Sequence, residues 1–96
     1  QALRIGPVGI AALPGEFFVA LGLALKARSP VQPLLVAGWS NDNIGYVPDR
    51  ASYPLGGYEI DIAYRYYGYP AGWAPGTGEA AVELALRLLH QLAQAR

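Results

Sequence analysis

Short apolar runs separated by Gly and Pro fill the first half of the chain and predict strands around a helix. Residues 2–13, ALRIGPVGIAAL, predict two short strands around the Gly6-Pro7 turn, or one broken strand. Residues 17–28 predict a helix with apolar positions nearly all the way round, so we expect it to be buried on most sides. Residues 34–39, LLVAGW, predict a buried strand parallel to the one before the helix. These elements form a predicted β-α-β unit.

The second half has a weaker pattern. SNDNIGYVPD, residues 40–49, predicts a loop, and DRASYP, residues 49–54, one helical turn. YEIDIAYR, residues 58–65, alternates like a strand, with an ordered loop as the alternative. Residues 66–78 are rich in Gly, Pro and aromatics and predict an irregular surface segment. The last helix is predicted to begin at Gly76 or Thr77.

We therefore predict an α/β fold: a β-α-β unit, an irregular aromatic-rich segment and a C-terminal helix. Of the 96 residues, 53% are hydrophobic and only 15% charged, a balance that suits a segment covered by more protein. We expect residues 1–96 to form a single segment of a larger α/β domain, with the remainder of that domain as its first partner.

Charge and cysteine content exclude several function classes. The formal net charge is zero, so nothing favours a nucleic-acid partner. The absence of cysteine excludes a disulfide framework and a thiolate metal site. The uncharged runs contain Pro and Gly and are too short to span a bilayer, so we expect no transmembrane segment.

One carboxylate stands out, because Glu16 is the only charged residue between Ile5 and Leu25. Burial of an unpaired charge costs free energy, so a carboxylate in this apolar stretch needs a structural or functional explanation. Glu16 lies between the first predicted strands and the helix, and the loop after the next strand carries Tyr46. Loops that follow parallel strands meet at one sheet edge, so we expect these two residues to be neighbours. The alternative is that Glu16 caps its own helix and Tyr46 only packs.

Four motifs in order, LPGEFF, NDNIGYVPD, GGYE and GTGE, carry a family resemblance. The chain resembles the C-terminal part of the catalytic domain of neutral/alkaline, non-lysosomal ceramidases, particularly their shorter bacterial relatives. The resemblance covers nearly the whole chain. It implies hydrolysis of the N-acyl amide of ceramide, or of a related lipid amide, by metal-activated water. It also slightly favours a secreted or cell-envelope location.

The resemblance further implies a catalytic zinc held by two histidines, one glutamate and one tyrosine. The glutamate of the family's PGE motif corresponds to Glu16, and the tyrosine after the Asn-containing loop corresponds to Tyr46. Both histidines belong to the preceding part of the domain, and His90 matches neither. The isolated chain is therefore expected to be inactive as a hydrolase, with its zinc completed by two histidines outside it.

Three further residues are candidates for contacting the substrate: Asn41, Asn43 and Tyr58. Asn41 is equally suited to stabilising its loop, and Tyr58 to packing. Asn43 stands where the ceramidases proper tend to carry an aromatic residue, which puts the substrate specificity in question more than the metal.

The alternative to an enzyme is a non-catalytic module that binds lipid or carbohydrate, or a structural domain that docks through its apolar surface. On the first view, an aromatic cluster would line a groove; packing of the same side chains within their own loop is equally compatible with the sequence. The cluster consists of Tyr64, Tyr66, Tyr67, Tyr69 and Trp73.

Overall fold

A computed structural model describes residues 1–95 as two small sheets packed with helices. The strands are β1 (Ala2–Ile5), β2 (Val8–Ala12), β3 (Glu16–Phe17), β4 (Leu34–Ala37) and β5 (Tyr46–Val47). The helices are α1 (Val19–Arg28), α2 (Tyr58–Asp61) and α3 (Thr77–Gln94), with 3-10 turns at Arg50–Leu55 and Ala63–Tyr67.

The larger sheet has the strand order β1-β2-β4. β1 and β2 form an antiparallel hairpin around Gly6, whose φ of 59° suits a glycine turn. β4 lies parallel to β2, in a register that aligns Gly9 with Leu34, and α1 connects the two strands. The predicted β-α-β unit is therefore confirmed, and so is the prediction of two strands at the start of the chain.

The hydrophobic core lies between one face of this sheet and the helices α1 and α3. Leu25 of α1 and Leu89 of α3 are fully buried there. Burial of a leucine side chain stabilises a fold by about 1.5–3 kcal/mol, so these two residues are major contributors. The prediction that the last helix begins at Gly76 or Thr77 is confirmed, since α3 begins at Thr77, and Val82, Leu86 and Leu89 on one of its faces are buried.

Helix α1 differs from its prediction in its start and in its burial. It begins at Val19 because Phe17 belongs to β3, and only Leu21 and Leu25 are buried. Val19 is 76% exposed and Leu23 is 61% exposed. The expectation of burial on most sides is wrong for the described chain, because α3 and β4 pack on α1 but leave its face with Val19 and Leu23 open.

The outer face of the larger sheet is also open. Register aligns Leu3 with Ile10 and Ile10 with Leu35, so the three side chains form one row across the strands. Leu35 is 55% exposed, and Leu3 and Ile5 are exposed as well. The sheet therefore has helices on one face and an uncovered apolar surface on the other.

The strand predicted over residues 58–65 is wrong. Residues 58–61 form α2 and residues 63–67 a 3-10 turn. The N–H of Asp61 donates to the carbonyl of Gly57, and the Asp61 carboxylate accepts the N–H of Gly57 at 2.9 Å. These local bonds satisfy the backbone where no neighbouring strand is available to pair. The helical turn predicted near residues 49–54 is confirmed as the 3-10 turn Arg50–Leu55.

Within residues 1–95, no helix combines the length and the apolar character that a membrane-spanning segment needs.

Candidate functional site

Glu16 and Tyr46 lie opposite each other in the smaller sheet. β3 and β5 pair in parallel, with Glu16 aligned to Tyr46 and Phe17 aligned to Val47. The Glu16 N–H donates to the Gly45 carbonyl at 2.9 Å, and the Phe18 N–H donates to the Val47 carbonyl at 3.0 Å. The structure thus brings together the two residues that the sequence analysis expected to be neighbours. The strand pair that holds them, β3 with β5, was not predicted.

Gly15 makes this close pairing possible. A Cβ atom at position 15 would lie 2.6 Å from the Gly45 carbonyl oxygen and 3.1 Å from Ile44. Real Cβ atoms do not approach backbone oxygen so closely, so any larger residue would push the two strands apart. The Ile44 N–H also donates to the Pro14 carbonyl at 2.8 Å, which holds the loop in place. The glycine before Glu16 therefore has a structural reason.

The alternative that Glu16 caps α1 is wrong. The residue at the N-cap position is Phe18, and no side chain caps this helix. Glu16 instead lies opposite Tyr46 in the strand pair, and its proximity is the largest cause that raises the pKa of Tyr46 to about 12. Desolvation of the phenol adds to this shift, followed by the negative charge of Glu16 and smaller effects of Tyr58 and Glu59. With no cation beside it, the phenol therefore keeps its proton at neutral pH.

Both residues line an open groove of about 800 Å³, within the size range of small-molecule sites. Its walls are mainly apolar and come from α1, β4 and the segments that follow β2 and β4. The exposed side chains of Val19 and Leu23 lie on one wall, and Trp39 lies among the residues of the other. The apolar surface that α1 leaves uncovered is thus continuous with the carboxylate–phenol pair.

Trp39 was not singled out by the sequence, yet its conformation is unusual. Its φ is 46°, in the left-handed region that bulky residues rarely adopt, and its side chain is 60% exposed. The Trp39 N–H donates to the Gly15 carbonyl at 3.1 Å, and this bond fixes the turn next to Glu16. Strained residues of this kind cluster at functional sites. The sequence signal that could have identified Trp39 is its position, a large aromatic residue directly after a strand and before a polar loop.

Asn43 stabilises its own loop, Asn41 ties that loop to Gln1, and neither residue lines the groove. The Asn41 side-chain amide donates to the Gln1 side chain at 3.1 Å, and Asn41 adopts a φ of 70°. The Asn43 side-chain oxygen accepts the Gly45 N–H at 3.1 Å. Their role as substrate contacts stays a prediction, while their role in shaping the loop that leads to Tyr46 is visible.

Tyr58 lies close to the pair. Its ring meets the Tyr46 ring edge-to-face, with a centroid distance of 6.2 Å, and its side chain is exposed. The neighbouring Glu59 lines the groove together with Glu16. The structure therefore gathers two carboxylates and the Tyr46 phenol in the groove, with the Tyr58 ring packed beside Tyr46.

Most of the aromatic cluster packs within its own loop. Tyr67 stacks on Tyr69 at 5.9 Å, and Tyr69 meets Trp73 edge-to-face at 5.5 Å. The Trp73 indole N–H donates to the Ile44 carbonyl at 2.9 Å, which anchors the segment beside β5. The cavity among these rings holds only about 20 Å³, too little for a ligand. Tyr66, at 79% exposure, is the outlying member.

The donor set suits half of a zinc shell. Zinc accepts carboxylate oxygen, and a cation favours the phenolate form of a tyrosine as it favours hydroxide over bound water. In the part of the chain that is described, no group of three or more acidic or histidine side chains is placed to hold a metal ion. His90 is exposed on α3 and does not line the groove. The residues therefore fit two of the four positions that the resemblance implies.

Comparison with protein-family models, characterised proteins and solved structures found no match to this chain.

Proposed function

We propose that this chain is the C-terminal part of the catalytic domain of a zinc-dependent amide hydrolase of the ceramidase type. Glu16 and Tyr46 would supply two of its four metal ligands, and two histidines from the rest of the domain would supply the others. The observation that carries the proposal is the parallel pairing of Glu16 with Tyr46, across thirty residues of sequence, at the wall of an apolar groove.

In this proposal each residue has a defined task. Glu16 offers a carboxylate oxygen, and Tyr46 offers a phenol oxygen that must lose its proton to bind a metal well. Bound zinc would polarise the amide carbonyl and lower the pKa of a water molecule. The apolar walls around Leu23 and Trp39 would hold the hydrocarbon part of the substrate and keep bulk water away from the pair.

The exposed apolar surfaces support the assignment to a larger domain. Parallel strand pairs such as β2 and β4 are normally covered on both faces, whereas this sheet leaves Leu35 of β4 open on one side. Additional layers from the same domain would bury this face of the sheet.

The test uses the protein that contains this chain together with the rest of the proposed domain. We expect about one zinc per chain, as in mononuclear catalytic sites, and we expect Glu16→Gln and Tyr46→Phe each to reduce both the zinc content and the hydrolysis of a lipid amide. Tyr66→Phe is the matched control, because it removes the hydroxyl of an exposed tyrosine that does not line the groove. Full zinc content and full activity in both ligand variants would contradict the proposal.

A second candidate is lipid binding without hydrolysis, which the apolar lining of the groove favours. On this view Glu16 and Tyr46 are a neighbouring carboxylate and phenol that need no metal. The two functions separate clearly: a binding module would retain a lipid amide intact, and its affinity would not change when zinc is removed by a chelator.

A further inference from the structure

One stripe of helix α1 forms a wall of the groove and ends in a positive charge. Val19, Gly22, Leu23 and Lys26 follow the spacing that places side chains on one helix face, and all four line the groove. Lys26 is the only lysine of the chain and lies in the last turn of α1. Seven residues at 1.5 Å each place it about 10 Å along the helix from Val19.

The charges of the groove have opposite signs at its two ends. Glu16 precedes the first turn of α1, and Glu59 lies near Tyr46, so one end carries two carboxylates. Lys26 is exposed and forms no ion pair within residues 1–95. Its neighbour Arg28 differs, because its guanidinium contacts Glu83 at 2.6 Å and does not line the groove.

We propose that Lys26 is the anion-recognising residue of this groove, and that the preferred ligand is an amphiphile with an anionic group remote from Glu16 and Tyr46. The apolar body would lie over Leu23 and Trp39. Its anionic group would meet the Lys26 ammonium, and the carboxylates at the other end would repel the reversed orientation. The charges therefore fix one direction of binding.

This inference narrows the substrate class of the proposed function. It rests on the proposed function only in treating the groove as the substrate-binding site. A neutral ceramide would leave Lys26 without a partner. An N-acyl compound with a carboxylate, sulfate or phosphate at one end would satisfy it. The shared chemistry is an apolar chain of moderate length that ends in an anion.

Binding of two matched probes tests the proposal without any metal. Octanoate and 1-octanol have chains of the same length, and only octanoate carries a charge. We expect the protein with its complete proposed domain to bind octanoate more tightly than 1-octanol, by titration calorimetry in the presence of a chelator. Lys26→Gln should weaken octanoate about fivefold, the effect of one exposed charge pair, and leave 1-octanol unchanged. Arg87→Gln, which removes an exposed cation outside the groove, is the control and should change neither affinity.

A second measurement follows the amine itself. Octanoate should slow the acetylation of Lys26, read by peptide mass spectrometry, whereas 1-octanol at equal occupancy should slow it less. Equal affinities for the two probes, or an octanoate affinity that Lys26→Gln leaves unchanged, would overturn the proposal. Because no zinc is present, such a failure is distinct from loss of zinc binding by Glu16→Gln, which tests the proposed function.

Discussion

The phenol of Tyr46 gives the sharpest test of the site's geometry, because its acidity depends on its neighbour. The interaction with Glu16 is the largest cause of a pKa near 12, against the usual value of about 10 for tyrosine. Glu16→Gln removes the negative charge and the carboxylate acceptor together. We therefore expect the pKa of Tyr46 to fall from about 12 towards its ordinary value.

The assay is a pH titration followed by NMR of chains labelled with ¹³C at the tyrosine Cζ atom. Seven tyrosines are present, and the Tyr46→Phe variant identifies the signal of interest by its loss. Glu59→Gln is the control, because the charge of Glu59 is the smallest cause of the shift and its removal should change the pKa only slightly. An unmodified chain in which Tyr46 titrates near 10, or a pKa that stays near 12 in Glu16→Gln, would refute the reasoning.

The same shift has a consequence for stability. A folded-state pKa above the unfolded value means that the contribution of Tyr46 is complete below about pH 10 and is lost as the pH rises towards 12. The stability advantage of the unmodified chain over Glu16→Gln should therefore shrink across this window. Denaturant titrations at several pH values measure it.

Two further predictions concern packing. Gly15→Ala should destabilise the fold by about 1–3 kcal/mol, because the added Cβ would clash with the Gly45 carbonyl. Gly22→Ala should instead stabilise α1 by about 0.5–1 kcal/mol, because a Cβ there has its nearest contact at 4.0 Å. Thermal unfolding measures both effects, and equal effects of the two variants would contradict the close approach at Gly15. Leu89→Ala should cost about 2–5 kcal/mol because its side chain is fully buried, while Leu84→Ala on the exposed face of the same helix should cost far less; similar losses of denaturation midpoint would place the core elsewhere.

The elements with strong periodicity were predictable from the sequence. The hairpin, α1, β4 and α3 appear where apolar residues recur at strand or helix spacing, and Gly6-Pro7 marks the turn. The strand predicted over residues 58–65 was wrong because alternation of apolar and polar residues indicates a strand only where a partner strand exists. The prediction that α1 is buried on most sides was wrong for a related reason, because an apolar sequence does not specify which elements cover the helix.

The candidate site was predictable in part. The expected proximity of Glu16 and Tyr46 followed from the rule for parallel strand ends, although the two-residue strands that carry it are too short for any sequence pattern. The groove was not predictable, because it joins a stripe of α1 that ends in Lys26 to a turn that places Trp39 in a left-handed conformation. Such a surface exists only after the chain has folded.

The central claim is that Glu16 and Tyr46 together hold a metal ion. Anomalous X-ray diffraction at the zinc absorption edge, from crystals of the protein with its complete proposed domain grown with zinc, tests it most directly. The account predicts one strong peak about 2.0–2.2 Å from a Glu16 carboxylate oxygen, with the Tyr46 phenol oxygen in the same coordination shell. A zinc peak coordinated by neither residue would contradict it.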